Sequence, residues 1–243
     1  MRIPRVHVET ELTAGAEIAL ADTQTHYLKH VLRLKPGAAL LLFNGSEAVD
    51  YQAELSADGK KLTARIGAAV PVHTESPLES EIIQGLGRGD HMDWMIQKTT
   101  ELGVNRIRLF NAARTQSPLK AGQREKKLQH WRSVAISACE QSGRALLPEI
   151  LFYTDLGQAI AATAVDCRLL LDFAGASLNA RLATPQQSVS ILLGPEGGLN
   201  PAEIEQARQA EFMAANLGPR VLRTETAAAS AIAIVQALAG DLG

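Results

Sequence analysis

The sequence contains few of the features that mark secreted, membrane-spanning or metal-built proteins. It has only two cysteines, Cys139 and Cys167, which lie far apart and suggest no disulfide or metal framework. No apolar run reaches the roughly 18 residues that a membrane span requires. The first ten residues, MRIPRVHVET, lack the apolar core of a signal peptide. These absences predict a cytoplasmic protein that does not enter the membrane.

Motifs for metals and phosphates are also missing. His26 and His30 are spaced i,i+4, but no cysteine or third ligand lies nearby, so we expect no metal site. No G-x-G-x-x-G follows the first strand of the predicted sheet, and G-x-x-x-x-G-K-[ST] is absent, which disfavours a doubly wound nucleotide-binding enzyme. A hydrolase elbow of the form G-x-S-x-G is absent too.

Charge is unevenly distributed along the 243 residues. The net charge of −2 by itself argues against a nucleic-acid-binding protein. Residues 88–144, however, hold eleven Lys and Arg against five Asp and Glu, which is a net charge of +6 inside an acidic protein. Such a segment is either a positive face for phosphates or a set of solvated helix surfaces.

The first part of the chain reads as a small β-rich domain. Strands are predicted over 2–8, 38–43, 47–55 and 61–70, with a hairpin turn at Asn44-Gly45 and another turn at Asp58-Gly59. A short helix is predicted from an Asp22 cap to Arg33. The polar, proline-containing stretch after residue 70 indicates a linker. We therefore expect one domain over residues 1–72 and a second over 73–243.

The second domain alternates short apolar strands with helices. Strands are predicted over 82–86, 106–110, 168–172, 189–193 and 213–217. Helices are predicted from an Asp90 cap to Gly103, over 126–142 and 203–209, and over the very apolar 226–239, which should be buried. This alternation predicts an α/β fold with a mostly parallel sheet covered on both faces.

Four strand ends have unusual sequences, and ligands in open α/β sheets bind at such carboxyl ends. They are GLGRGD (85–90), Leu171-Asp172, LGPEGG (193–198) and LGPRVLRTET (217–226). Two glycine-rich turns that both contain Gly-Pro would let a flat ligand lie against the main chain. An adenine ring or a methionine-like tail suits such a surface, and the alternative is a pair of tight turns.

Four ordered stretches resemble one known family. They are GRGDHMDWMIQKTTELGV (87–104), ACEQSGR (138–144), LLGPEGGL (192–199) and LGPRVLRTETA (217–227). They are similar to the ribosomal RNA small-subunit methyltransferase E family, a branch of the SPOUT, or trefoil-knot, methyltransferases. The resemblance covers most of the second domain, and the β-rich first domain fits the PUA-like RNA-binding β-barrel of that family.

This resemblance implies a C-terminal α/β knot, a departure from the rule that chains are unknotted. It implies S-adenosylmethionine as the cofactor and N3-methyluridine in small-subunit (16S) rRNA as the product. It also implies a homodimer whose substrate is small-subunit rRNA or the 30S subunit. The expected cofactor residues comprise two glycine loops and their neighbours: Leu171, Gly194, Glu196, Gly197, Gly198, Leu217, Gly218, Val221, Leu222 and Thr226. Thr226 is also expected to cap the last helix, with Thr224 as the other candidate.

Methylation at uracil N3 requires loss of the N3 proton, so a base or an anion stabiliser is needed. Glu196 is one candidate base, with Glu140 and Glu225 as rivals. Glu196 is equally compatible with a loop carboxylate near a helix N-terminus. Arg223 is expected to hold the RNA phosphate or the uracil carbonyls. Alternatively, the positive charge of nearby basic residues stabilises the anion, and the candidates are Arg88, Lys98, Arg114 and Arg144.

These same basic residues are the expected RNA contacts, together with Arg2, Lys29 and Arg33 in the first domain. Lys98 and Glu101 are spaced i,i+3, so an intrahelical pair is the alternative for Lys98. Two other functions stay open. One is a related SPOUT enzyme acting on ribose 2′-OH or another base, and the other is a catalytically silent RNA-binding protein of the same fold.

Overall fold

The computed structural model describes residues 3–58, 61–184 and 186–243. The chain divides into two compact units: residues up to Glu75 together with Cys139–Leu147, and Ser76–Ala138 together with Pro148–Gly243. The boundary falls three residues after the predicted one. The assignment of 139–147 to the first unit was not predicted, because it depends on tertiary contacts such as Leu147 N–H to the Gly45 carbonyl, at 3.0 Å. Arg2 and the predicted turn at Gly59 lie outside the described residues.

The first unit is built on one five-stranded sheet. Its strands are β1 (Arg5–His7), β2 (Glu17–Ala19), β3 (Ala39–Phe43), β4 (Val49–Asp58) and β5 (Lys61–Pro71), in the order β1-β3-β4-β5-β2. β1 pairs with β3 in parallel and the other pairs are antiparallel. The predicted hairpin at Asn44-Gly45 joins β3 to β4, and Gly45 takes a φ of +80°, which favours glycine.

In the first unit, the second half of the predicted helix is not α-helical. Helix α1 covers Asp22–His26 and continues as a π-helical turn over Tyr27–Val31. Asp22 is the first helical residue and not the cap. Arg33 was predicted to end the helix but lies beyond it with a φ of +55°, so it does not share a helical face with Lys29 although the two are four residues apart. Leu28 is the buried residue that fixes the turn against the sheet.

The second unit is a six-stranded parallel sheet, which confirms the predicted fold class. Its strands are β6 (Glu79–Gly85), β7 (Arg106–Phe110), β8 (Glu149–Tyr153), β9 (Cys167–Ser177), β10 (Ser188–Leu193) and β11 (Met213–Asn216). Their order is β11-β9-β10-β6-β7-β8, and every pair is parallel. β8 was not predicted, because this edge strand is mostly half-buried and gives a weak pattern.

Helices cover both faces of this sheet. They are α2 (Gly89–Glu101), α3 (Ala121–Ser142), α4 (Leu156–Ala161), α5 (Leu178–Arg181), α6 (Pro201–Gln209) and α7 (Thr224–Ala239). Successive strand residues point to opposite faces, so Ile82 joins one apolar cluster and Ile83 the other. Strands buried on both faces read as continuous apolar runs, which is why their positions were predictable. None of the helices in the described ranges is long and apolar enough to cross a membrane.

Two helix predictions were wrong in detail. Arg88 is the N-cap of α2, with no side-chain cap bond, so Asp90 lies in the first turn and does not cap the helix. Arg223 is the N-cap of α7, so neither Thr226 nor Thr224 caps this helix, and Thr226 lies inside its first turn. One face of α7 is buried against α2 and the sheet, while Leu238 on this helix is 47% exposed in the single chain.

Candidate active site

The four unusual segments meet around one cavity of about 720 Å³ in the second unit. Three of them follow the carboxyl ends of β6, β10 and β11. The fourth, Leu171-Asp172, was predicted to end a strand but lies within β9, which continues to Ser177. The four strands lie side by side in the parallel sheet. The segment after β6 contributes Arg88 and His91, and β9 contributes residues 170–173. The loop after β10 and the 217–223 segment after β11 form much of the remaining wall.

Gln84, at the end of β6, holds the two glycine loops together. Its amide donates to the carbonyl oxygen of Gly194 at 2.9 Å and to the hydroxyl of Thr224 at 3.2 Å. The Thr224 hydroxyl donates in turn to the same Gly194 carbonyl at 2.9 Å. Gln84 is fully buried, so these bonds form away from water. The β10 loop and the start of α7 are therefore fixed to each other at the cavity.

Glycine is required in this loop because backbones approach closely. A Cβ at Gly194 would lie 2.7 Å from the backbone nitrogen of Leu199, and one at Gly85 would lie 2.6 Å from Pro195 Cδ. Gly198 takes a φ of +69°, a conformation that side chains disfavour. The Gly-Pro-Glu-Gly-Gly sequence thus allows the loop to fold back on itself beside the cavity.

Glu196 joins the β10 loop to the segment after β6. Its Oε1 accepts a hydrogen bond from the backbone N–H of Arg88 at 2.9 Å and lies 3.2 Å from His91 Nδ1. Partial burial opposes ionisation of this carboxyl. Hydrogen bonds from the backbone of Arg88, from its own backbone and from His91 outweigh that effect and lower the pKa of Glu196. Glu196 is therefore an ionised group that positions this loop, and it is a weak base.

Glu225 lies behind the same histidine. It is the second residue of α7, is 8% exposed and lines the cavity. Its Oε2 is 3.7 Å from His91 Nδ1 and has no hydrogen-bond partner among the described residues. His91 thus faces two carboxylates from two different walls of the cavity.

Most of the predicted cofactor residues line the cavity, namely Leu171, Gly194, Glu196, Gly198, Leu217, Gly218, Val221 and Leu222. Gly197 and Thr226 are not among the lining residues. Gly197 packs against Arg114, whose guanidinium donates to the Gly197 carbonyl at 3.1 Å. Thr224, the other threonine considered, makes the contact to the glycine loop instead.

The predicted basic residues separate into two groups. Arg88 and Arg223 are exposed and line the cavity, as does Arg220. Arg114 holds the β10 loop through main-chain carbonyls, and Lys98 pairs with Glu101 at 2.9 Å, the intrahelical alternative. The structure thus places two of these four second-unit candidates at the cavity.

Glu140 and Arg144 belong to the first unit and have structural contacts there. Glu140 accepts a hydrogen bond from the backbone N–H of His7 at 3.0 Å, and burial raises its pKa. Arg144 is 2% exposed and pairs with Glu75 at 2.9 Å. An RNA contact requires an accessible guanidinium, so the predicted role of Arg144 is corrected to a buried ion pair.

Sequence reasoning missed several residues of the site. His91 was overlooked because a lone histidine in a helix is usually unremarkable, although it follows the noted GRGD segment. Gln84 and Phe173 adjoin predicted strand ends and could have been included by position. Their contacts across the sheet have no signal in the sequence.

Comparison with known proteins identifies the class to which this fold and site belong. Residues 74–236 match the RNA methyltransferase domain family, and residues 20–67 match the RNA methyltransferase PUA domain. The chain is therefore an RNA methyltransferase-family protein with a PUA domain near its N-terminus.

The relatives narrow this to one family. The ribosomal RNA small subunit methyltransferase E of Buchnera aphidicola (Schizaphis graminum) is 33% identical over 99% of this chain and 98% of its own length. The enzyme of that name from Neisseria gonorrhoeae, solved with S-adenosylmethionine, has 33% identity and a TM-score of 0.91 over 100% of both chains. A Legionella pneumophila methyltransferase solved with bound SAM is 32% identical and has a TM-score of 0.92, also over 100% of both chains. The chain belongs to the ribosomal RNA small subunit methyltransferase E family.

Proposed function

We propose that this protein methylates N3 of a specific uridine in small-subunit rRNA, using S-adenosylmethionine. The observation that carries the proposal is the cavity lined by four neighbouring strands and the loops that follow them, in a chain that matches SAM-bound relatives along its whole length. Its volume of about 720 Å³ is in the range of small-molecule sites.

The lining residues fit this cofactor. Leu217 and Leu222 supply apolar cover for an adenine ring, and Gly194 and Gly198 bring the main chain to the cavity without side chains in between. Leu171 adds apolar surface from β9. When bound, the cofactor supplies an electrophilic methyl group on a sulfonium sulfur.

The protein's own task is to make uracil N3 nucleophilic. Glu196 has a lowered pKa and already accepts a hydrogen bond from the backbone of Arg88, so we do not assign it as the base. Exposed Arg223 and Arg88 line the cavity, and their charge would stabilise the uridinate as the N3 proton leaves to solvent. Stabilising the anion lowers the cost of deprotonation without a strong base.

We also propose a homodimer that acts in the cytoplasm on small-subunit rRNA or the 30S subunit, with a knotted second unit. The exposed apolar residues Trp94, Leu238 and Leu242 support a second copy as partner. Exposed Arg33, with Lys29, is the first unit's proposed RNA contact. Light scattering at micromolar concentration should give twice the monomer mass, and a monomer would contradict the dimer.

The decisive experiment is mass spectrometry of rRNA nucleosides from a deletion strain. We expect N3-methyluridine to disappear from small-subunit rRNA and to return when the gene is restored on a plasmid. Retained N3-methyluridine would refute the proposed product. Loss of a ribose 2′-O-methyl mark or of another base modification would identify a different methyltransferase, and no change in any modification would indicate a silent RNA-binding protein.

A further inference from the structure

The buried carboxylate of Glu225 lies at the cavity wall, and one of its oxygens lacks a hydrogen-bond donor among the described residues. Its Oε2 accepts no hydrogen bond from any described residue, although the residue is only 8% exposed. The nearest basic nitrogen is His91 Nδ1, at 3.7 Å. That nitrogen is closer to Glu196 Oε1, at 3.2 Å. When Nδ1 carries a hydrogen, that hydrogen is directed to Glu196 better than to Glu225.

Two carboxylates of this wall share one partner. Glu225 and Glu196 both face the single imidazole of His91. Within the described ranges, no Lys or Arg forms an ion pair with Glu225 or Glu196. The exposed Arg88, Arg220 and Arg223 line the same cavity, but water screens their charge more than that of the buried Glu225. A buried carboxylate acts over several ångström because little water screens it.

We infer that Glu225 makes the cavity selective for the charge of the cofactor: it stabilises the positive sulfonium of S-adenosylmethionine and not the neutral sulfide of S-adenosylhomocysteine. This inference rests on the proposed function for its ligand. The supporting contacts come from three segments, since His91 begins α2, Glu196 belongs to the β10 loop and Glu225 begins α7. Glu225 is thus a specificity-determining residue, with His91 and Glu196 positioned beside it.

Such selectivity has a consequence for turnover. In methyl transfer, the N3 lone pair forms the new bond to the methyl carbon, and the electron pair of the broken carbon–sulfur bond stays on sulfur. The N3 proton leaves to solvent and keeps the uridine neutral. The cofactor loses its positive charge because sulfur keeps that electron pair, while the carboxylates remain. The attraction to Glu225 is lost with that charge, and this favours release of the product over retention.

The test measures binding and needs no RNA. Calorimetry gives the dissociation constants of S-adenosylmethionine, S-adenosylhomocysteine and sinefungin, which carries an ammonium group in place of the sulfonium. For Glu225→Gln, we expect the preference for S-adenosylmethionine over S-adenosylhomocysteine, measured as the ratio of their dissociation constants, to fall about tenfold. The preference for sinefungin over S-adenosylhomocysteine should fall as well. The matched control Glu101→Gln removes one carboxylate that pairs with Lys98 outside the cavity, and it should leave both preferences unchanged.

The outcomes separate this inference from the proposed function. Wild-type protein that binds neither S-adenosylmethionine nor S-adenosylhomocysteine would overturn the proposed cofactor itself. Equal weakening of all three ligands in Glu225→Gln would show a structural role and overturn the inference alone. If that variant does not fold, His91→Lys provides the second test. A fixed positive charge beside Glu225 should lower the same preference, and an unchanged preference would contradict the inference.

Discussion

The hydroxyl of Thr224 donates a 2.9 Å hydrogen bond to the carbonyl oxygen of Gly194, and so joins the first residue of α7 to the loop after β10. Both residues line the cavity. The two glycine-rich segments that the sequence marked as separate turns are thereby one structure, with Gln84 as the third member.

Replacement of Thr224 by valine should weaken cofactor binding. The variant keeps the shape of the side chain but loses the bond to Gly194, at a cost of about 1 kcal/mol in the free energy of unfolding. We expect calorimetry to show a several-fold weaker affinity for S-adenosylmethionine, because the loop is less well fixed. Thr226→Val is the control, since Thr226 is two residues away and does not line the cavity. An equal effect of both variants would contradict the assignment to Thr224.

Replacement of Gly194 by alanine should disrupt the cavity. The new Cβ would lie 2.7 Å from the Leu199 nitrogen and 2.8 Å from the Gly198 carbonyl carbon, and backbone atoms cannot move as a side chain can. We expect about 1–3 kcal/mol of destabilisation and loss of measurable cofactor binding. The Cβ that Gly218→Ala introduces would have no atom within 4 Å, so this variant bears only the strain of a φ of +96°. It should cost about 1 kcal/mol. Thermal melting of both variants, together with calorimetry of cofactor binding, checks that Gly194→Ala is the more damaging change.

Replacement of Arg223 by alanine should separate RNA methylation from cofactor binding. Arg223 is exposed at the cavity, and the loss of one anion-stabilising charge should lower the methylation rate by roughly 100-fold. The dissociation constant of S-adenosylmethionine should be largely unchanged. Arg208→Ala removes an exposed arginine of α6 that does not line the cavity, and it serves as the control. Strongly weakened cofactor binding in Arg223→Ala would place this residue in the cofactor site instead.

Glu196 and Glu140 should affect stability with opposite dependence on pH. The pKa of Glu196 is lowered on folding, so its contribution is present above the ordinary value of 4.5 and is lost as pH falls below it. The pKa of Glu140 is raised by burial, so stability falls as pH rises above 4.5 through its folded value. We therefore expect plots of melting temperature against pH for Glu196→Gln and Glu140→Gln to diverge from the wild-type plot in opposite directions as pH rises. Parallel curves would refute this assignment.

Replacement of Arg144 by alanine should destabilise the protein, because it leaves Glu75 without its buried partner. We expect a loss of about 3–5 kcal/mol, measured by denaturant unfolding. The double variant Arg144→Met with Glu75→Gln should recover much of this loss, since no uncompensated charge stays buried. Arg132→Ala, an exposed change on α3, is the control. A stable Arg144→Ala protein with weakened RNA binding would restore the original prediction.

The sequence by itself determined the class of fold and the general position of the site. Short apolar runs bounded by glycine-rich turns, such as Ile191-Leu192-Leu193, indicated strands buried on both faces, and parallel strands place their carboxyl ends at one edge. The glycine loops marked that edge because close backbone approach excludes a Cβ. The edge strand β8 and the π-helical turn escaped prediction, since half-buried positions and irregular helices leave no clear period.

Only the tertiary structure decided which charged side chain does what. Glu196, Glu140 and Glu225 are equivalent in a sequence. In the structure, Glu196 accepts a backbone hydrogen bond beside the cavity, Glu140 is half-buried against His7, and Glu225 lies 3.7 Å from His91 with an oxygen that accepts no hydrogen bond from the described residues. Likewise, Arg223 is exposed at the cavity and Arg144 is buried in an ion pair. Hydrogen bonding and accessibility depend on partners that are distant along the chain. A local pattern can therefore propose such residues, but the fold assigns their roles.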